Sequence, residues 1–241
     1  MAGDPEFQTI SDKALSPRGM ALLGYQRTKH ISKQAQKAWA EGNPTPLILE
    51  TSANRREIFE AILAEIKADY DPLSEALAKA EIVPKSIIDI GCGQALGDLF
   101  FLIEFDPAFL LVDIEETREQ YHFWAESGAG YASLAEASGL LRENGARLVR
   151  AINPRKTPEQ LAGLHADLVI STISCGFHYP ITPYIELFQN TLRKGGAIIL
   201  DLRRSYADAP DKALETLFEM SLLTEIPCSE PKSARLLFTP A

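Results

Sequence analysis

The sequence predicts an α/β fold in which an N-terminal helical segment precedes a mostly parallel, seven-stranded sheet. Two observations predict it. Up to residue 85 the chain carries helical periodicity and no strand-like run, and from there on short β-rich runs alternate with helical segments. The first five runs are continuously apolar, which is typical of strands that helices cover on both faces. A chain of 241 residues is long enough for one such domain and an appendage.

The helical segment spans residues 8–84, and we expect three helices in it. The first lies in "TKHISKQAQKAWAEG" and ends before "NPTP". The second begins with Ser52 as its N-cap and places isoleucines at helical spacing. A third, separate short helix fits "PLSEALAKAEI" at residues 72–82. Residues 1–7, "MAGDPEF", resemble a vector-derived cloning scar and are excluded from the fold prediction.

Residues 85–241 hold the predicted strands. In order, the runs are "SIIDIG", "FLLVDI", "ARLVRAI", "ADLVISTIS", "GAIILDLR", "LLTEIPCSE" and "SARLLFTP". Strands that alternate with helices imply right-handed crossovers and a parallel sheet. The last two runs leave no room for a helix between them, so we expect them to pair as an antiparallel hairpin at the sheet edge.

The composition excludes several classes of protein. A net charge of -9 disfavours a nucleic-acid partner. No apolar stretch reaches the roughly 18 residues that cross a bilayer, and no secretion signal opens the chain, so we expect a cytoplasmic protein without a membrane partner. The 3 cysteines are widely spaced and predict neither a disulfide framework nor a metal site.

A glycine turn follows the first predicted strand. Gly91 and Gly93 stand where the chain leaves the strand for a helix, and ligands of open α/β sheets bind at the carboxyl ends of the strands. Glycine there lets the main chain approach a ligand closely. Asp113 ends the next strand, where a carboxylate can accept hydrogen bonds from two ribose hydroxyls. The pattern predicts a nucleotide cofactor, and the alternative is a tight turn and a surface acid without a ligand.

The spacing of the turn bears on which nucleotide is bound. A dinucleotide site favours G-x-G-x-x-G, with pyrophosphate resting on the helix N-terminus. Here the spacing is G-x-G-x-x-x-G, Leu96 takes the place of the third glycine, and Asp98 brings a negative charge to the helix start. These features favour a cofactor without phosphates over NAD(P).

Four motifs in order, "IIDIGCGQALGD", "LLVDIEE", "ADLVISTIS" and "LRKGGAIILDLR", resemble those of class I S-adenosylmethionine-dependent methyltransferases. The resemblance covers residues 85–241. It implies a Rossmann-like seven-stranded sheet of order 3-2-1-4-5-7-6 with the seventh strand antiparallel, and an N-terminal extension that acts as a lid on the cofactor.

The resemblance also implies the cofactor contacts. The residues that it places around S-adenosylmethionine are Asp89, Gly91, Cys92, Gly93, Asp113, Ile114, Asn153, Ser171 and Thr172. Asp113 matches the acid that binds the ribose, and Ile114 the apolar residue beside the adenine. Asn153 stands where the family often has an acid for the adenine amino group. Ser171 and Thr172 lie at the end of the fourth strand, where the family lines the methyl-transfer site.

Candidate catalytic residues follow the fourth strand in "STISCGFHYP". His178 is a candidate general base for a hydroxyl acceptor, because histidine titrates near neutral pH; the alternative is a packing role. Tyr179 is expected to line the substrate site. Asp201, after the fifth strand, is a weaker candidate for the site. No N-P-P-Y element follows the fourth strand, so the pattern for methylating base amino groups is missing.

The helical segment offers further side chains to a substrate. Tyr25, Arg27, Lys29 and His30 lie in "LLGYQRTKH" and are candidates to shape an acceptor pocket, the alternative being solvated polar residues on a packing appendage.

The expected function is therefore methyl transfer from S-adenosylmethionine to oxygen, in preference to nitrogen, of a small molecule such as a sugar or secondary metabolite. Three alternatives stay open: an NAD(P)-dependent oxidoreductase, a non-enzymatic cofactor-binding protein, and a methyltransferase that acts on RNA or protein.

Overall fold

A computed structural model describes residues 7–117, 124 and 130–241 of the chain. Residues 1–6, most of the segment interpreted as a cloning scar, lie outside this description. Phe7, the last residue of that segment, is buried and packs edge-on against Phe100, with 6.3 Å between the ring centroids.

Within the described residues, four α-helices precede the sheet: α1 Pro17–Gln26, α2 Lys33–Ala40, α3 Thr45–Ala53 and α4 Arg55–Lys79. Ser52 lies inside α3, so its prediction as an N-cap is wrong, and Asn54 separates α3 from α4. The separate helix predicted at residues 72–82 is also wrong, because α4 continues through Pro72. Proline removes one helical hydrogen bond, and the buried Tyr70, Leu73 and Leu77 on either side keep the helix packed on the core.

The sheet has the predicted strands and the predicted order. They are β1 Ser86–Ile90, β2 Ala108–Val112, β3 Val149–Ile152, β4 Leu168–Ser171, β5 Ala197–Arg203, β6 Ser221–Ile226 and β7 Ser233–Pro240. Their order is β3-β2-β1-β4-β5-β7-β6. The first five pair in parallel, and β7 is antiparallel to both β5 and β6. The prediction of an antiparallel hairpin at the sheet edge is confirmed.

Helices cover both faces of the sheet. They are α5 Leu96–Phe105, α6 Leu134–Glu143, α7 Ile185–Arg193, α8 Arg204–Asp208 and α9 Lys212–Glu219. Only a short 3₁₀ helix, Pro158–Leu161, is described between β3 and β4. Consecutive residues of one strand point to opposite faces, so Ile87 packs in the cluster with α4, α5 and α6, while Ile88 packs in the cluster with α7 and α9.

The helices before β1 divide between two cores. Ile58, Phe59, Ile62 and Leu63 of α4 belong to the main cluster on one face of the sheet, together with α5. A small separate cluster, Ala21, Ile31, Ala35 and Leu47, joins α1, α2 and α3. Helix α4 is thus part of the sheet's own core, and α2 and α3 depend on the smaller cluster.

The outer edge of the sheet is β6, whose four residues from Leu222 to Glu225 are exposed. Within the described part of the chain, no helix combines the length and the apolar character that a membrane span requires.

Candidate functional site

The turn between β1 and α5 has the backbone that its glycines predict. Gly91 and Gly93 have φ of +75° and +56°, in the left-handed region, where glycine carries no steric cost. The Gly91 amide donates to the Val112 carbonyl at 2.7 Å, which fixes the turn to the end of β2. A Cβ atom added to Gly93 would meet no atom within 4 Å. The main chain at Gly93 is therefore bare of side-chain contacts on that side.

Gly91 is constrained differently. A Cβ atom there would lie 1.9 Å from Oγ of Ser174, a residue of the loop after β4. We expected glycine at position 91 because a side chain would hold a cofactor away. The structure gives a second reason, since the loop after β4 rests directly on this turn. The predicted cofactor turn and the predicted catalytic loop are thus in contact.

Asp113 lies at the end of β2 with its carboxylate facing the turn. Oδ2 accepts from the Gly93 amide at 3.1 Å, and Oδ1 accepts from the Glu115 amide at 2.7 Å. Burial raises the pKa of Asp113 to about 6, against the lowering effect of the two amides. Each oxygen keeps a second acceptor direction for a ligand hydroxyl.

Two more carboxyls lie beside the turn. Asp98 in the first turn of α5 is 1% exposed, and its carboxyl lies within hydrogen-bond reach of the Asp89 carboxyl; no other partner of its oxygens is found among the described residues. Burial raises its pKa to about 7. Burial, followed by the nearby Asp98 charge, raises the pKa of Asp89 as well. Gln94 is 2% exposed, and its amide oxygen and nitrogen also lack partners within the described ranges.

Burial and the neighbouring carboxylates raise the pKa of the Cys92 thiol, which keeps it protonated and unreactive. Its Sγ makes only a weak contact, at 3.6 Å, with the Gly93 carbonyl. The side chain packs against the main hydrophobic cluster. Cys92 therefore lies in the turn as a small packing residue.

Asn153, after β3, reaches the segment that follows β2. Its amide nitrogen donates to the Ile114 carbonyl at 3.1 Å and to the Glu115 carboxylate at 2.9 Å, and its oxygen accepts from the Arg155 amide at 3.0 Å. Lys156 completes the cluster with an ion pair to Glu115 at 2.7 Å. The side chain of Asn153 thus holds the Ile114 backbone in place beside Asp113.

The end of β4 is tightly fixed. Ser171 is fully buried; its hydroxyl donates to the Ile90 carbonyl at 2.7 Å and accepts from the Cys175 amide at 2.9 Å. Ser171 therefore holds β4 against β1. Thr172 follows it, half-buried, and Ile173 has φ of +49°. A β-branched residue in the left-handed region is strained, and such strain concentrates at functional sites.

His178 and Tyr179 lie in the loop that Ser174 anchors. The Tyr179 hydroxyl is 3.3 Å from Oγ of Ser174, and burial raises its pKa well above the usual range. The His178 amide donates to the Ser174 carbonyl at 2.8 Å, and its ring packs edge-on against Phe177 with 5.0 Å between centroids. Since the ionised phenolate is disfavoured, Tyr179 is suited to lining the site and not to acting as a base.

Asp201 lies inside β5, not after it as predicted, and its side chain is buried in the core. Its carboxylate forms a bidentate ion pair with Arg235, at 2.6 and 2.9 Å, and the two side chains are 0% and 2% exposed. Oδ2 also accepts from the strained Ile173 amide at 3.1 Å. Arg235 donates in addition to the Asp69 carbonyl of α4 at 3.0 Å. Asp201 therefore holds the backbone at the end of β4 through its hydrogen bond with the Ile173 amide.

The candidate side chains of the helical segment are only partly brought together. Lys29 pairs with Glu65 of α4 at 2.7 Å, and His30 contacts the same carboxylate. Tyr25 does not join this pair of contacts and packs on Trp39, with 5.6 Å between the ring centroids. Arg27 is exposed.

Sequence reasoning missed three of these residues: Gln94, Ser174 and Arg235. Gln94 could have been found from the sequence, because it is a polar residue between Gly93 and the apolar start of a helix. Nothing in the sequence marks Ser174 or Arg235, because their roles arise from contacts between distant segments.

No protein-family model matches the chain. No curated protein matches it either. Among solved structures, the chain is similar to ribosomal protein L11 methylase from Lactobacillus delbrueckii subsp. bulgaricus at 15% identity, covering 72% of this chain and 79% of that one, with a TM-score of 0.46. It is similar to cofactor-bound Rv0187 from MTB at 14% identity, covering 72% and 79%, with a TM-score of 0.47.

A methyltransferase from Pyrococcus furiosus is similar at 14% identity, covering 70% of this chain and 82% of that one, with a TM-score of 0.43. The assignment of the fold rests on the strand order β3-β2-β1-β4-β5-β7-β6 and on the antiparallel β7. The chain has the Rossmann-like fold of the class I S-adenosylmethionine-dependent methyltransferases.

Proposed function

We propose that the chain binds S-adenosylmethionine at the Gly91–Gly93 turn and transfers its methyl group to oxygen, in preference to nitrogen, of a small-molecule acceptor such as a sugar or secondary metabolite. The observation that carries the proposal is the contact of Ser174 with Gly91. It seats the loop of His178 and Tyr179 on the turn that is bare of side-chain contacts at Gly93.

The residues around the turn fit this cofactor. The Asp113 carboxylate beside Gly93 would accept from the ribose hydroxyls. Gln94 presents a buried amide without a hydrogen-bond partner in the described part of the chain, which a bound polar group would satisfy. Three neighbouring carboxyls favour a ligand that carries a sulfonium and an ammonium and oppose one that carries pyrophosphate. This charge balance supports S-adenosylmethionine over NAD(P).

The cofactor supplies an electrophilic methyl group, and the protein's part is to align the acceptor, exclude water and remove a proton where the acceptor carries one. Ser174 and Tyr179 would line the path beside Gly91. His178 would accept the proton of a hydroxyl acceptor, since imidazole titrates near neutral pH. The fixed end of β4 would hold this loop in register with the turn.

Cofactor binding is tested by calorimetry of the whole chain with S-adenosylmethionine, S-adenosylhomocysteine and NADH. We expect the two sulfur compounds to bind and NADH to fail. Asp113→Ala should weaken their binding by about 1.5–3 kcal/mol, the value of hydrogen bonds to a charged group, while Asp208→Ala, an exposed acid on α8, should leave it unchanged. Preferential binding of NADH would replace this proposal with the oxidoreductase.

The base is tested with His178→Gln. Release of S-adenosylhomocysteine is followed with a panel of sugars, phenols and amines, and with RNA and protein as the rival acceptors. We expect the transfer rate to fall about 10²-fold or more, as for loss of a general base, at unchanged cofactor affinity, and Tyr179→Phe to keep most of the rate. Binding of the cofactor without transfer to any acceptor would favour the non-enzymatic alternative.

A further inference from the structure

A cavity lies apart from the glycine turn. Its volume is about 410 Å³, and it is an open cleft between the segment before α2, helix α4 and the loop that joins β6 to β7. The polar residues that line it are Arg27, Lys29, Glu65, Asp69, Cys228 and Ser229. Its volume lies within the range of small-molecule sites, and its mostly polar lining favours a polar ligand.

Some of the charged side chains that line the cavity form ion pairs, and others do not. Glu65 is neutralised by Lys29, at 2.7 Å, and also contacts His30. Within residues 7–117, 124 and 130–241, no ion pair involves the Arg27 guanidinium, and none involves the Asp69 carboxylate. A ligand therefore meets one cation without an ion pair, Arg27, and one anion, Asp69, whose charge also interacts with Arg235. Guanidinium groups bind carboxylates and phosphates in a planar, bidentate manner, and a carboxylate accepts from hydroxyl groups.

The cavity lies at the same edge of the sheet as the glycine turn. β7 begins beside the carboxyl end of β5, where Ser233 pairs with Arg203, so the β6–β7 loop projects from that edge. A chain of contacts joins the cavity wall to the loop after β4. The Asp69 carbonyl accepts from Arg235 at 3.0 Å, Arg235 pairs with Asp201, and Asp201 accepts from the Ile173 amide at 3.1 Å.

We infer that this cavity is the acceptor pocket and that it selects a hydroxylated small molecule bearing a carboxylate or a phosphate, with Arg27 binding the anionic group and Asp69 a hydroxyl. The inference rests on the proposed function and narrows it, from small molecules in general to hydroxylated anions.

Cys228 provides a local reporter of occupancy. It lines the cavity, is half-buried, and its Sγ makes only weak contacts, at 3.6 and 3.9 Å, with main-chain carbonyls. Burial raises the pKa of the Cys92 and Cys175 thiols, so these two react slowly with alkylating agents. The rate at which iodoacetamide modifies Cys228, read by peptide mass spectrometry, thus reports on the cavity, and Cys228→Ser confirms the assignment.

The experiment uses the whole chain saturated with S-adenosylhomocysteine, and glucose 6-phosphate, gluconate and glucose as probes. We expect one or both anions to slow modification of Cys228 at least fivefold and glucose to have no effect; which anion protects distinguishes phosphate from carboxylate. Arg27→Gln should remove the protection while cofactor affinity stays unchanged. Arg193→Gln, an exposed arginine at the end of α7, should leave the protection intact.

Equal protection by glucose, or full protection in Arg27→Gln, would overturn the inference. So would the absence of protection by both anions in a chain that binds S-adenosylhomocysteine normally. If the cofactor does not bind but the anions protect Cys228 through Arg27, the proposed function fails and the cavity stands as an anion site without an acceptor role.

Discussion

Three carboxyls beside one glycine turn, the half-buried Asp89 and the buried Asp98 and Asp113, are the most consequential residues of the site. Asp89, Asp98 and Asp113 are brought together by β1, α5 and β2, and burial raises the pKa of each. As side chains fully exposed to water, all three carboxyls would be ionised at neutral pH. The fold thus holds protons here that a cationic ligand would displace.

Cofactor binding should therefore depend on pH. The pKa of Asp98 is about 7 and that of Asp113 about 6 before binding, and a nearby cation lowers both. Binding then releases protons below about pH 7, so affinity should rise with pH by up to about tenfold per unit for each proton released and level off near pH 8. Calorimetry between pH 5.5 and 8.5, in buffers of different ionisation enthalpy, measures both effects.

Asp98→Asn is the matched variant for this dependence. It removes a carboxyl whose pKa burial raises to about 7, and it also removes the Asp98 charge that raises the pKa of Asp89, so the remaining rise should shift toward pH 6, where Asp113 titrates. S-adenosylhomocysteine, which lacks the sulfonium charge, should show a weaker dependence than S-adenosylmethionine. An identical slope in the variant and the parent chain would rule out Asp98 as a source of the released proton.

At the scale of elements, the Arg235–Asp201 pair joins α4, β5, β7 and the end of β4. Both side chains are buried, and Arg235 makes three hydrogen bonds. Arg235→Met should lower the free energy of unfolding by about 3–5 kcal/mol, because it leaves a buried carboxylate unpaired. Combining it with Asp201→Asn should recover at least half of that loss. Urea denaturation of the two variants measures both values.

The exposed pair of Arg147 and Asp106 is the control for this prediction. Arg147→Met should change the free energy of unfolding by less than about 1 kcal/mol, the usual value of a surface ion pair. A loss of similar size at Arg235 would mean that its carboxylate partner is reached by water after the substitution.

A helix or strand was predicted correctly where the residues that determine it are neighbours in the sequence. The runs of β1, β4 and β5 are apolar and mostly buried on both faces, as predicted, whereas Arg150 and Ala151 of the edge strand β3 are exposed. Helix α4 was divided wrongly because Pro72 is a local breaking signal, whereas the packing of Tyr70 and Leu73 that overrides it depends on the folded core.

Site residues followed the same rule. Gly93 and Asp113 belong to local motifs, while Ser174 acts through a contact with residue 91 that only the folded chain creates.

At the scale of the whole molecule, stability is unevenly distributed between the two cores. Helix α4 lies in the large cluster under the sheet, and α2 and α3 depend mainly on Ala21, Ile31, Ala35 and Leu47. Regions with few buried apolar contacts open at lower free energy than the global value. Helices α2 and α3 are therefore the ones that we expect to open first.

Native-state hydrogen exchange tests this division. Amides of α2 and α3 should exchange with opening free energies lower than those of α4 by at least about 2 kcal/mol, within the span from zero to the global value that such measurements cover. The measurement is exchange mass spectrometry in increasing denaturant below the unfolding midpoint. Equal opening free energies would show that the first three helices and the sheet unfold as one unit, which would argue against a separately moving lid.

The seating of Ser174 on Gly91 couples the glycine turn to the loop after β4. Under the proposed function, replacing this loop in order to redirect the chain to a new acceptor would also change how the turn binds an adenosyl donor. Such a replacement should keep a small side chain at position 174, because a bulkier one would displace the turn and weaken donor binding.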